Sequence, residues 1–140
     1  MKRLSVLVAV VLAAGAVATV SSGSARSGAL HVTKECSQYT GQAGSFCTIR
    51  SSNISAIKAG MKVVYASAPG PVALESNIVV GFIGGDSAGY GHVWVNNTTG
   101  NGHISLDGGT GLFAGLHVEA VVSVDEHGIW HWDGTYSYSG

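Results

Sequence analysis

The chain has 140 residues, a net charge of −1 and only 11% charged residues, a length that allows one folded domain and excludes a second core. No Lys or Arg follows Lys62, whereas Glu75, Asp86, Asp107, Glu119, Asp125, Glu126 and Asp133 all do. That skew excludes nucleic-acid binding, which neutralises phosphates with Lys and Arg, and it argues against docking on an anionic lipid surface.

At the start of the chain Lys2 and Arg3 precede an apolar run from Leu4 to Val20, and small residues follow from Ser21 to Ala25. This is the layout of a secretory signal peptide. Ala16-Val17-Ala18 offers one cleavage site and Gly23-Ser24-Ala25 another; taking the second, residues 1–25 are the leader and residues 26–140 a single domain. A membrane anchor is the alternative, since about 20 apolar residues span a bilayer. Alanine and glycine dilute this run, however, and no basic stop-transfer cluster follows it. The expectation is an exported protein, extracellular or periplasmic, that leaves the membrane on cleavage. Cys36 and Cys47 are the two cysteines, and in an exported chain such a pair reads as a disulfide. Their spacing fits no C-x-x-C redox motif, and no second pair completes a zinc cage.

The chain ahead of Phe46 reads as an arm that this bridge pins to the first strand, Phe46 to Arg50. Ser52 to Ala59 has room for one turn of helix, capped by Ser52 or Asn53. Strands then follow between Gly, Pro, Asn and Asp clusters. Met61 to Ala68 is stopped by Pro69-Gly70-Pro71, and Val72 to Ile83 by Gly84-Gly85-Asp86. Tyr90 to Asn96, His103 to Asp107, Leu112 to Val124 and Ile129 to Tyr138 complete the set. Connections of hairpin length without crossover helices predict an antiparallel meander. Closure into a small β-barrel would remove its exposed edges; a β-sandwich is the alternative.

Side chains alternate between the faces of a strand. The expected interior is Val63, Tyr65, Ile78, Val80, Phe82, Val93, Ile104, Leu106, Phe113, Val118, Ala120 and Trp130. His92, His103, His117 and His131 fall on the more polar faces, and Glu75 and Glu119 point outward by the same phase. No H-x-H or H-E-x-x-H spacing supports a metal site, so neither metal nor cofactor is expected. There is no G-x-S-x-G elbow, and the glycines at 108, 109 and 111 form no phosphate loop because no Lys follows them. Whether the protein is an enzyme stays open on these residues.

The corner Gly109-Thr110-Gly111-x-Phe113-x-Gly115, entered from a short strand and left by a long one, resembles the signature turn of the allene oxide cyclase barrel superfamily. That group includes plant allene oxide cyclases, dirigent proteins and small bacterial barrels. The whole chain is similar to a group of small secreted bacterial proteins of unknown function. That likeness rests on Cys36-x-x-Tyr39, Gly44-x-Phe46-Cys47 and Trp130-x-Trp132-Asp133-Gly134-Thr135-Tyr136. The resemblance implies an eight-stranded antiparallel barrel with an apolar central cavity.

Tyr65, Phe82, Phe113, Trp130, Trp132 and Tyr136 are the candidate lining of a pocket for an apolar small molecule, whose cyclisation or coupling the barrel would guide in a dry cavity. The same six could simply fill an eight-stranded barrel, which is just wide enough for side chains or one small ligand. In that alternative the protein is a non-catalytic secreted one that acts through its surface or assembles with copies of itself.

Overall fold

The computed structural model describes residues 26–139, so the leader read over residues 1–25 lies outside the described residues. Eight antiparallel strands form a closed barrel in chain order. They are β1 (Ser27–Glu35), β2 (Phe46–Ser52), β3 (Lys62–Tyr65), β4 (Ala73–Gly81), β5 (Ala88–Asn96), β6 (Gly102–Thr110), β7 (Leu116–Val124) and β8 (Trp130–Tyr138). Among the described residues no helix is long and apolar enough to cross a membrane.

Two expectations need correction. The arm ahead of Phe46 is itself a strand, β1, which pairs with β2 on one side and along its length with β8 on the other. Its alternation Leu30, Val32, Lys34 sets a lysine where a third apolar residue would have signalled a strand. The turn of helix expected over Ser52 to Ala59 is absent. That connection is irregular, and Ile54, Ala56 and Ile57 turn into the core there. Burial of those three side chains, rather than a repeating backbone bond, fixes its path.

The remaining alternation holds. Val63, Ile78, Val80, Val93, Ile104, Leu106, Val118 and Ala120 are all buried, while Glu75, His92, His103, His117 and Glu119 face outward. Phe82, expected inside, is a further correction. It lies beyond the end of β4 and is 45% exposed on the outer side, because the strand stops at Gly81 before its phase would carry the ring inward. Trp130 is half-buried and Trp132 fully buried, on the same face of β8.

Register divides the barrel into two ends. The upper end gathers the finish of β1, the start of β2, the finish of β3, the start of β4 and the start of β8. The lower end is closed by the glycine corner between β6 and β7, where Gly111 takes φ 56° and a 3-10 turn over Gly111–Phe113 drops Phe113 wholly out of solvent. Gly89 of β5 makes room for that ring, since a Cβ on Gly89 would overlap it. At the upper end Cys36 and Cys47 are bonded, tying the end of β1 to the start of β2. Closing so short a loop restricts the unfolded chain by about 2–3 kcal/mol.

Two stability changes follow from these closures. Gly89→Ala should cost about 1–3 kcal/mol in chemical denaturation, as an overpacked core does. Replacing both cysteines by alanine should cost about 2–3 kcal/mol with the barrel retained; complete unfolding would show that the bridge holds β1 in place.

Candidate functional site

The odd residue of the interior is Lys34. The β1–β8 register sets Val32 beside Trp132 and Lys34 beside Trp130. On its other side the β1–β2 ladder slips, pairing Thr33 with Ser51 but Lys34 with Ile49. The bulge leaves Arg50 and Ser51 both facing solvent and returns Ile49 to the core. Bulges re-aim side chains in this way. Lys34 ends 4% exposed, inside the barrel.

Its surroundings are rings and sulfur. Nζ lies 4.9 Å from the centre of the Trp130 ring, 5.8 Å from Tyr65 and 6.0 Å from Trp132. It donates at 3.7 Å to Sγ of Cys36, and sulfur is a weak acceptor. Among the described residues no carboxylate pairs with it: Glu35, next in the chain, is half-buried on the opposite face and its carboxylate accepts from the Ser37 amide at 2.9 Å. Burial alone pushes the Lys34 amine down from 10.5 to about 7. A desolvated cation–π contact returns about 2 kcal/mol, which does not offset taking an ammonium out of water. The interior's other buried polar residue shows the contrast. Ser76 donates to the Asn77 carbonyl at 2.6 Å and accepts from the Ser67 amide at 3.0 Å.

Lys34 lines a cavity of about 80 Å³ at the upper end. Its walls are the Cys36–Cys47 bridge, Tyr39, Tyr65, Leu74, Trp130 and Trp132, with Val93, Val95 and Val122 on the barrel side. Tyr39 meets Tyr65 edge-on at 5.3 Å, and burial pushes both phenols up. Two donors in this lining, the Tyr39 hydroxyl and the Trp132 indole N–H, are buried with no partner among the described residues. A cavity of this size holds several waters or a small apolar fragment; a dry void of ~150 Å³ takes benzene, and whole drug-sized ligands need roughly 300 Å³ or more.

Of the six aromatic residues expected at a pocket, the structure brings together Tyr65, Trp130 and Trp132. Phe113 fills the lower end. Tyr136 is half-buried there, lying over Gly28 and edge-on to Tyr138 at 6.2 Å. Phe82 is outside. Sequence reasoning missed Lys34, Tyr39 and Leu74. The signal for Lys34 was present in the alternation of Leu30, Val32 and Lys34, and reading it required accepting a lysine in an inward slot.

Among the described residues, histidines on the outer face pair with carboxylates, His103 excepted. His31 meets Asp133 at 2.8 Å, His92 meets Glu75 at 3.1 Å, and His131 meets Asp125 at 2.9 Å. Each pair supplies two ligands, and among the described residues no third joins them. At Asp125 the His131 bond, then the Ile129 and His127 amides, hold the carboxyl down at about 2. Its share of stability is present above the ordinary carboxylate range and is lost as pH falls through about 2.

Compared with known protein families, with curated proteins and with solved structures, the chain matches none.

For Lys34 the pH effect has the same sign as for Asp125, because both groups hold their protons less tightly in the fold than in the unfolded chain. Between about 7 and 10.5 the unfolded chain keeps a proton that the folded chain has shed, so stability rises with pH across that window. Below about 7 the burial penalty is at full size, a few kcal/mol at about 1.4 kcal/mol per pH unit. Lys34→Met should therefore be the more stable protein near neutral pH, with the gap narrowing toward pH 10 in denaturant titrations. A gap that does not change with pH would show the amine to be solvated.

Proposed function

We propose that the upper cavity binds the small apolar end of an organic molecule, with the amine of Lys34 as its polar anchor, in a protein that works outside the cytoplasm. The observation that carries this reading is an amine without a carboxylate partner, set inside an otherwise apolar cavity. Structure alone would favour an apolar residue there, since an uncompensated buried amine weakens the fold. Perturbed ionisable groups inside concave apolar sites are the usual mark of a functional site. The resemblance of the glycine corner to the allene oxide cyclase barrels supports the same class of ligand. The bridge between Cys36 and Cys47 and the leader pattern support export.

The dimensions narrow the ligand. The lower half of the barrel is filled, so a molecule with several rings cannot be swallowed whole. A chain or ring of a few carbons fits the cavity, and anything larger lies across the rim beside Leu74 and Cys36, both half-buried. Any guided cyclisation or coupling would then take place on the part held at the rim.

A panel of short-chain alcohols, monoterpenoids and fatty acids tests the reading by thermal unfolding. A one-site ligand present at a hundred times its Kd adds about 2.7 kcal/mol to stability. Leu74→Trp, which enlarges a half-buried side chain at the rim, should abolish that gain with the barrel still folded. No response from any member of the panel would remove the reading.

A further inference from the structure

Resting on that reading, we propose that Lys34 captures its ligand covalently, and that the ligand is a small apolar aldehyde or ketone held as an imine on Nζ. The geometry sets the amine at the end of β1 inside the cavity, between Trp130 and Tyr65, with only Sγ of Cys36 in hydrogen-bond range among the described residues. A carboxylate partner would have kept the nitrogen charged and its lone pair occupied. Here burial favours the neutral amine at physiological pH, the form that attacks carbonyl carbon.

The ligand chemistry follows from the lining. A carbonyl compound is uncharged and enters an apolar cavity without a desolvation penalty of ionic size, which a carboxylate would incur. The Tyr39 hydroxyl and the Trp132 indole N–H, on residues of the lining, are buried donors without a partner among the described residues, and a carbonyl oxygen would supply an acceptor. In the step itself the Nζ lone pair forms a bond to the carbonyl carbon, giving a carbinolamine. Both amine hydrogens then leave with the former carbonyl oxygen as water, and the C=N double bond forms. The balance is amine plus carbonyl giving imine plus water, and no oxidant or reductant takes part. The other described lysines, Lys58 and Lys62, are exposed and half-buried respectively and do not line the cavity, so they serve as internal controls for ordinary amine reactivity.

The test uses hexanal as the probe, cyanoborohydride to fix any imine, and intact and peptide mass analysis of the disulfide-bonded protein near pH 7. The expected result is one hexyl group per chain, mapped to Lys34, forming at least tenfold faster than on Lys58 or Lys62, and absent from Lys34→Met. The wild-type peptide map decides the question even if that variant fails to fold. An adduct spread evenly over the lysines and the chain's terminal amine, or no adduct at all, overturns the proposal. 1-Hexanol and hexanoate separate this failure from that of the binding reading. If either raises the Tm while hexanal leaves Lys34 unmodified, the cavity binds ligands without covalent capture. If neither does so and Lys34 stays unmodified, the binding reading falls as well.

Discussion

The pairing of β1 with β8 is the constraint on which the rest depends. It joins the two ends of the described chain over the full length of both strands, and it is the seam that turns a meander into a barrel. Without it β8 and β1 would each present an unpaired edge, in a chain rich in Val and Ile and poor in charge, which is the composition that aggregates edge to edge. The same seam makes the site. Lys34 lies next to Trp130 only because residue pairs such as Leu30–Gly134 and Val32–Trp132 lock the register further down. A slip of one residue would move Lys34 to the outside and expose Val32.

Closure at the two ends follows different physics. The lower end is shut by an aromatic ring fitted against a glycine, Phe113 over Gly89, and by the inward-folded connection carrying Ile54 and Ile57. The upper end is held by a covalent bridge instead, because its inner residues leave a gap among large rings rather than interdigitating. The bridge and the gap go together. Packing supplies less of the cohesion at that end, and a disulfide stabilises by restricting the unfolded chain, without filling space.

Lys34 weakens the fold it belongs to. Ser76, buried like Lys34, is satisfied by two backbone partners, whereas the amine has rings and a sulfur. Rings reduce the penalty of an ammonium without cancelling it, and the balance is struck by shedding the proton near neutral pH. The outer histidines do the opposite: each of His31, His92 and His131 sits opposite a carboxylate in the solvent, where exposed pairs contribute little energy.

Much was legible in the residues themselves. Period-two alternation identified the interior of β3 to β8, the polar side of the histidines, and the outward lean of Glu75 and Glu119, because burial on one face is imposed strand by strand. The glycine corner and its filling aromatic were readable too, since positive φ at Gly111 is a local demand. The Cys36–Cys47 bridge followed from count and context. What only the tertiary structure decided was everything that depends on which strands meet. β1 is a strand because β8 and β2 supply its partners, and its own sequence, interrupted by Lys34, does not declare it. Phe82 left the interior because β4 ends at Gly81. The separation of Tyr65, Trp130 and Trp132 at one end from Phe113 and Tyr136 at the other came from register. The sequence alone determined an antiparallel meander with one apolar face; closure of the seam made it a barrel and determined that an amine stands inside.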